Sequence, residues 1–137
     1  MIRVVVDTNV VVSAALVRHG NPAAILNLVF SRDIVPCVSN AVLAEYEEVL
    51  SRPRIRVDQD RSKEIRDAIY QVAIVVEPQV SLRVCSDRDD DMFMECAVES
   101  QADFLITGNI RDFPERYQSV VVTTPKEFME MWKRLHV

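Results

Sequence analysis

Acidic side chains follow predicted secondary-structure elements at several points in this 137-residue chain, where their carboxylates could hold a metal ion. The apolar run at residues 2–6 predicts a buried strand, and Asp7 comes directly after it. A carboxylate at the end of a buried strand is costly unless a partner compensates its charge. A helix N-cap is the alternative role for Asp7, since Asp favours that position.

A second acidic group, at residues 87–91, places four carboxylates in five positions at the start of a predicted helix. N-capping and the helix dipole explain one Asp there, but four exceed that need. Two like charges ~4 Å apart repel by ~1 kcal/mol in water and by ~4 kcal/mol at an effective dielectric of ~20. The cluster therefore indicates either a site for a divalent cation or a solvated acidic turn whose side chains splay apart.

The helical pattern over residues 40–51 contributes two more candidates, Glu45 and Glu47, at the two edges of its apolar stripe. A carboxylate at either edge could lean over the rim of a pocket. Periodicity leaves the choice between them open, and each could equally be an ordinary surface acid.

A last polar group, Thr107-Gly108-Asn109 with Asp112 beyond it, follows the predicted strand at residues 104–107. The glycine predicts a sharp turn or a close approach of the backbone, although a plain turn is the alternative. In an open α/β sheet, ligands bind beyond the carboxyl ends of the strands, where this group and Asp7 could converge. Oxygen ligands alone favour a hard cation such as Mg²⁺ or Mn²⁺, which acts on phosphates.

The elements that must position these groups alternate between short β-rich runs and helical patterns, which predicts an α/β fold. Five strands are predicted, at residues 2–6, 34–38, 73–76, 104–107 and 120–123. Six helices are predicted, at residues 10–17, 22–31, 40–51, 61–72, 91–101 and 125–135. The last helix begins with a capping box, Thr124 to Glu127. Its apolar stripe predicts a core-facing side made of Phe128, Met131, Trp132 and Leu135. No repeat or linker interrupts the pattern, so we expect one domain over residues 1–137.

Composition excludes several classes of function. The net charge is −5, so a bulk basic surface for nucleic acid is absent. With two histidines, a zinc site or a catalytic triad built on histidine is disfavoured. Six of the 16 basic residues lie between Arg52 and Arg66, which indicates either phosphate contacts or a solvated surface. Three cysteines without paired spacing and no apolar run of ~18 residues favour a cytoplasmic protein without a membrane span.

Taken in order, these residues resemble the PIN domain family, and the similarity covers nearly the whole chain. It rests on Asp7-Thr8-Asn9-Val10, Glu45 in its helix, the acidic residues 87–91 and Thr107-Gly108-Asn109. The chain is most similar to the small toxins of toxin–antitoxin pairs, akin to VapC. The resemblance implies a Rossmann-like three-layer sandwich with a central, mainly parallel sheet of about five strands. It also implies an endoribonuclease that depends on Mg²⁺ or Mn²⁺, a homodimer and a small antitoxin partner.

The family pattern assigns four catalytic acids to this sequence: Asp7, Glu45, Asp90 and Asp112. The first three are the expected metal ligands, which selects Glu45 over Glu47. Three further residues are expected to support the site: Thr107, Asn109 and Asp91. Asp90 and Asp91 are adjacent, so which of them binds the metal stays open. Arg88, Arg111 and Arg116 are candidates for contacts to the RNA backbone.

Two other functions compete with the nuclease. Many PIN domains have Asp where this chain has Asn109, which would suit a non-catalytic module that binds an antitoxin or RNA. A phosphatase of the haloacid-dehalogenase type also uses an Asp at the end of its first strand. That chemistry needs a second Asp two residues later, where this chain has Asn9, so it is the weaker alternative.

Overall fold

The computed structural model describes residues 1–136, which form one mixed sheet of six strands with six α-helices around it. The strands are β1 (Arg3–Val6), β2 (Val35–Val38), β3 (Ile74–Val75), β4 (Phe104–Ile106), β5 (Arg116–Tyr117) and β6 (Val120–Thr123). The helices are α1 (Thr8–Leu16), α2 (Asn21–Phe30), α3 (Asn40–Leu50), α4 (Gln59–Val72), α5 (Asp91–Glu99) and α6 (Pro125–Leu135). The α/β class and all of the predicted strands and helices are confirmed, with shifts of a few residues at their ends.

The strand order in the sheet is β3-β2-β1-β4-β6-β5. All neighbouring strands are parallel except β5, which pairs with β6 antiparallel through Arg116↔Val121 and Tyr117↔Val120. The sequence analysis missed β5 because two residues are too short to show a β pattern. The tight connection from β5 to β6 holds Gln118 at a φ of 54°, in the left-handed region.

Strand β1 is the centre of the core. Val4, Val5 and Val6 are all buried, and successive side chains of a strand point to opposite faces. Both faces of β1 are therefore covered, as expected for a central parallel strand. Helix α5 packs against β1, β2 and β4, while α1 packs with α2, α3 and α4.

Helix α6 departs in part from its predicted stripe. Thr124 caps the helix, and its Oγ1 accepts the Glu127 N–H at 3.2 Å. Phe128 is buried and makes an edge-to-face contact with Phe104 of β4. Leu135, however, is 65% exposed, so its prediction as a core residue was wrong. It lies on the last turn of the helix, beyond the residues that pack on the sheet.

Helix α3 is fixed to the end of β1 by a buried hydrogen bond. The Tyr46 hydroxyl donates to the carbonyl oxygen of Val6, the last residue of β1. Ser39 caps the start of α3, where its Oγ accepts the Val42 N–H at 3.2 Å. These contacts place Glu45, the neighbour of Tyr46, beside the carboxyl end of the sheet. None of the helices in residues 1–136 has the length and apolar character that crossing a bilayer requires.

Candidate active site

The strand order places a switch point between β1 and β4. From β1 the chain continues outward to β2 and β3 on one side, whereas β4 and β6 lie on the other. Crevices for ligands form beyond the carboxyl ends of the strands at such a point. Asp7 directly follows β1, and Thr107 directly follows β4. The fold therefore sets these two side chains at the place where an α/β sheet binds its ligand.

Asp7 is a buried carboxylate with two side-chain donors. Only 5% of the residue is exposed. Its Oδ2 accepts a hydrogen bond from Thr107 Oγ1 at 2.7 Å and another from Asn9 Nδ2 at 3.3 Å. Asp7 occupies the N-cap position of α1, but its side chain makes no capping hydrogen bond. Capping therefore does not account for this carboxylate.

A second hydrogen bond, between Asn9 and Gly108, links the ends of β1 and β4. The Gly108 N–H donates to Asn9 Oδ1 at 3.1 Å. A Cβ added at Gly108 would lie 3.4 Å from this oxygen, closer than most such contacts. Gly108 therefore allows the close approach, and through Asn9 it helps to hold Asp7.

A cleft of about 440 Å³ opens beside Asp7. Three of the four predicted catalytic acids lie on its wall: Asp7, Glu45 and Asp90. Asn109, Thr8 and Ser13 supply further polar groups, and Val12, Val49 and Ile55 form an apolar side. Acids that are far apart in the sequence thus line one cleft at one edge of the sheet.

The structure separates the two candidates on α3. Glu45 lines the cleft, whereas Glu47 accepts a hydrogen bond from the Tyr70 hydroxyl of α4 on another side of the helix. Burial raises the pKa of Glu45, and the negative charges of Glu48, Asp7 and Asp89 act in the same direction. The charge of Arg52 opposes this shift.

The adjacent acids Asp90 and Asp91 have different surroundings. Asp91 is buried, and its Oδ1 accepts the backbone N–H groups of Val84 at 3.0 Å and Cys85 at 2.9 Å. Burial raises the pKa of Asp91, but these two hydrogen bonds, the Cys85 side chain and the charge of Arg88 together outweigh it, and the net shift is downward. Asp90 lines the cleft and makes no capping hydrogen bond to α5. Asp91 therefore stabilises the loop before α5 through its hydrogen bonds, whereas Asp90 lies on the cleft wall.

Burial and neighbouring negative charges raise the pKa values of the acids in the cleft. Burial raises the pKa of Asp90 to about 7, together with the negative charges of Asp7, Asp87 and Asp112. Burial also raises the pKa of Asp7, against the lowering effect of the Thr107 hydrogen bond. Asp112 is not part of the cleft wall, but its charge acts on both Asp7 and Asp90.

These residues fit a hard divalent cation by the chemistry of their donors. Within residues 1–136 none of the four acids forms an ion pair, although the charge of Arg52 on the same cleft wall acts on Glu45. The hydroxyl of Thr8, on the cleft wall, is buried without a partner among the same residues. No three His, Cys, Asp or Glu side chains in the described chain are grouped closely enough to hold a metal ion.

Comparison with known proteins places the chain in a family. The family model of the PIN domain matches residues 3–111, from the start of β1 to the turn after β4. This chain belongs to the PIN domain family. The matched span contains Asp7, Glu45, Asp90 and Thr107, and the resemblance seen in the sequence is thereby confirmed.

Two known proteins are similar to this PIN domain. The uncharacterized protein MJ1680 of Methanocaldococcus jannaschii is 34% identical over 146 aligned positions, covering 97% of this chain and 93% of that protein. The crystal structure of VapBC2 from Rickettsia felis, bound to a DNA fragment from its promoter, superposes with a TM-score of 0.57. It covers 90% of this chain and 98% of the matched chain at 16% sequence identity, which shows a shared fold.

Arg52 is the charged residue of the PIN domain cleft that was not among the predicted site residues. Arg52 follows α3 and lies on the cleft wall with Ile55. The high density of basic residues between Arg52 and Arg66 was the available signal, but it equally suited a solvated surface. The arginines predicted to contact RNA, Arg88, Arg111 and Arg116, are exposed and are not part of this wall.

Proposed function

We propose that this PIN domain is an endoribonuclease that uses Mg²⁺ or Mn²⁺ to hydrolyse phosphodiester bonds. The observation that carries the proposal is the cleft whose wall contains Asp7, Glu45 and Asp90, none of which forms an ion pair among residues 1–136. Carboxylates that line one cleft can be stabilised together by a divalent cation, and hard cations prefer oxygen ligands. The membership of the chain in the PIN domain family supports the same activity.

Each residue of the site has a role in the proposed reaction. Asp7 and Asp90 would hold the cation directly, and Glu45 would reach it directly or through water. When bound, the cation neutralises charge on the phosphate and lowers the pKa of a water molecule. Asp112, whose charge acts on both Asp7 and Asp90, would orient the attacking water or a second ion.

Thr107 and Asn109 would support this arrangement. The Thr107 hydroxyl donates to Asp7 and accepts the Asn109 N–H at 3.0 Å. Thr107 thereby holds the first acid in one orientation and fixes the turn that carries Asn109. Because the Thr107 hydroxyl both donates and accepts a hydrogen bond, it restricts rotation of the Asp7 side chain away from the cleft.

A cleavage assay tests the activity. Labelled single-stranded RNA is incubated with the protein and Mg²⁺ or Mn²⁺, and the products are separated on a gel. The wild-type protein should cut the RNA, whereas Asp7→Asn should lose nearly all activity. Asp67→Asn is the control, because Asp67 is an exposed acid of α4 that pairs with Lys63. Equal cleavage by the wild-type protein and by Asp7→Asn would contradict the proposal.

A non-catalytic role is the second candidate function, and Asn109 is the residue that favours it. Asn109 lies on the cleft wall, where an additional acid would strengthen a second metal site. A protein that binds RNA but leaves it uncut with either metal would support this role. Restoration of cleavage by Asn109→Asp would identify Asn109 as the cause.

We further propose that the protein is the toxin of a toxin–antitoxin pair and forms a homodimer. The structural likeness to a chain of VapBC2 and the similarity of the sequence to VapC-like toxins support this assignment. Co-purification with the product of the neighbouring upstream gene tests the partner. A native mass measurement of the isolated protein tests the dimer, and a mass of one chain of 15.7 kDa would exclude it.

A further inference from the structure

The loop between α3 and α4 presents three arginines next to the acidic cleft. Arg52, Arg54 and Arg56 alternate along this loop, and all three are exposed. Arg52 and Ile55 belong to the cleft wall that also contains Asp7. The loop that carries the three arginines therefore adjoins, through Arg52 and Ile55, the acids proposed to carry out the reaction.

The loop has a defined conformation. The Ile55 N–H donates to the Arg52 carbonyl at 3.0 Å, which closes a turn with Pro53 at the position that proline favours. The Val57 N–H donates to the Ile55 carbonyl at 2.8 Å, and the Val57 side chain is buried in the core. These contacts fix the backbone on both sides of Arg54 and Arg56.

Arg52 is itself held in place by an acid. Its Nε and Nη2 donate to the two carboxylate oxygens of Glu48 at 3.1 and 2.7 Å. A guanidinium carries five N–H donors, so the pairing with Glu48 leaves three for another ligand. The fork geometry of these donors matches a phosphate. Glu48 thus orients Arg52 without using up its capacity to bind.

The remaining charge of the loop is uncompensated. Among residues 1–136 neither Arg54 nor Arg56 forms an ion pair. The chain as a whole carries a net charge of −5, and the cleft itself is acidic. A polyanion that approaches this cleft is repelled by most of the surface, so a local group of arginines has a disproportionate effect on its binding.

We propose that Arg52, Arg54 and Arg56 form the surface that binds the phosphate backbone of single-stranded RNA beside the cleft. This inference rests on the proposed function, because it names the surface by which that substrate is held. Arg52 contacts the phosphate nearest the acids, and Arg54 and Arg56 contact phosphates farther along the strand. Glu48 is a positioning residue that acts through Arg52.

Fluorescence anisotropy of a labelled single-stranded RNA tests the inference. The measurement is made in EDTA, so that binding is observed without cleavage. Arg54→Ala/Arg56→Ala is compared with Arg32→Ala/Arg134→Ala, which removes the same charge from exposed arginines outside the loop between α3 and α4. Arg52→Lys retains the charge of Arg52 but removes the paired donors.

The loop variant should weaken RNA binding by about tenfold, and the slope of log K against log salt should fall by ~0.7 for each phosphate that the arginines no longer neutralise. The control variant should change affinity by less than about twofold, since distant exposed charges are largely screened at physiological salt. Arg52→Lys should weaken binding without the same change in slope. Equal effects of the loop and control variants, or no RNA binding by the wild-type protein, would overturn the inference.

The same variants separate this inference from the proposed activity. If the wild-type protein cuts RNA and the loop variant binds and cuts RNA equally well, the inference fails but the proposed nuclease activity is retained. If binding depends on the loop but no RNA is cut, the inference stands and the nuclease fails.

Discussion

The hydroxyl of Thr107, at the end of β4, donates a 2.7 Å hydrogen bond to the carboxylate of Asp7, at the end of β1. One hundred positions separate the two residues in the chain. Parallel pairing of Val6 with Ile106, the residues just before them, brings them side by side. The sheet register thereby sets the orientation of the acid on which the proposed chemistry depends.

Removal of this hydrogen bond should impair catalysis more than folding. A hydrogen bond to a charged group is worth about 1.5–3 kcal/mol, so Thr107→Val should reduce the cleavage rate by about 10- to 100-fold. Thr107 also lowers the pKa of Asp7, and without it that pKa should rise. The activity of Thr107→Val should therefore need a higher pH than that of the wild-type protein. Thr107→Ser retains the hydroxyl and should behave like the wild-type protein in a pH–rate profile.

Metal affinity should depend on pH through Asp90. Its pKa of about 7 means that the carboxyl group is largely protonated in the metal-free protein below neutrality. A cation must displace that proton, so Mn²⁺ affinity should rise about tenfold per pH unit below pH 7 and level off above it. Calorimetry at several pH values measures this dependence. A flat profile between pH 5 and about 8 would show that Asp90 does not titrate in this range.

Asp90 should also destabilise the metal-free protein at alkaline pH. The pKa of Asp90 is about 7 in the folded protein and about 3.9 in the unfolded chain. Because the folded state binds this proton more tightly, the free energy of unfolding falls as the pH rises from about 3.9 to about 7. Because the residue is partly exposed, we expect a gain of only about 1 kcal/mol, or roughly 3 °C, for Asp90→Asn at pH ~8. The gain should shrink by pH ~5, where Asp90 is mostly protonated. Thermal unfolding in EDTA measures both values, and a loss of stability at alkaline pH would contradict the account.

Asp91 should behave in the opposite way to its neighbour. It accepts two backbone N–H groups, and its pKa is lowered, so its stabilising effect is present above the unfolded pKa and is lost on acidification. Asp91→Ala should cost about 1–3 kcal/mol at neutral pH, because Val84 and Cys85 lose their acceptor. Urea unfolding of Asp91→Ala and Asp90→Ala should therefore show destabilisation for the first only. Similar unfolding midpoints for both would contradict the distinction between the two acids.

Much of the fold and part of the site follow from the sequence because they obey local rules. The apolar run of β1 and the alternation of strands and helices predict a parallel sheet. The rule that ligands bind beyond strand ends then brings Asp7 and Thr107 to one edge. Periodicity could not choose between Glu45 and Glu47, because both lie at the margin of the same apolar stripe. The family resemblance selects Glu45, and in the structure Glu47 instead accepts a hydrogen bond from Tyr70 of α4.

The remaining features depend on long-range contacts. The burial of Asp91 depends on where the backbone of Val84 and Cys85 passes, which no pattern in the sequence specifies. The place of Arg52 on the cleft wall likewise depends on the turn that follows α3. A basic stretch in the sequence has the same composition whether it faces a site or bulk water.

Calorimetric titration with Mn²⁺ tests the central claim, that distant carboxylates share one hard cation at this edge of the sheet. The wild-type protein should bind Mn²⁺, and Asp7→Asn and Asp90→Asn should each abolish or greatly weaken that binding. Asp67→Asn on α4 should bind Mn²⁺ like the wild-type protein. Unchanged Mn²⁺ binding in both Asp7→Asn and Asp90→Asn would contradict the account.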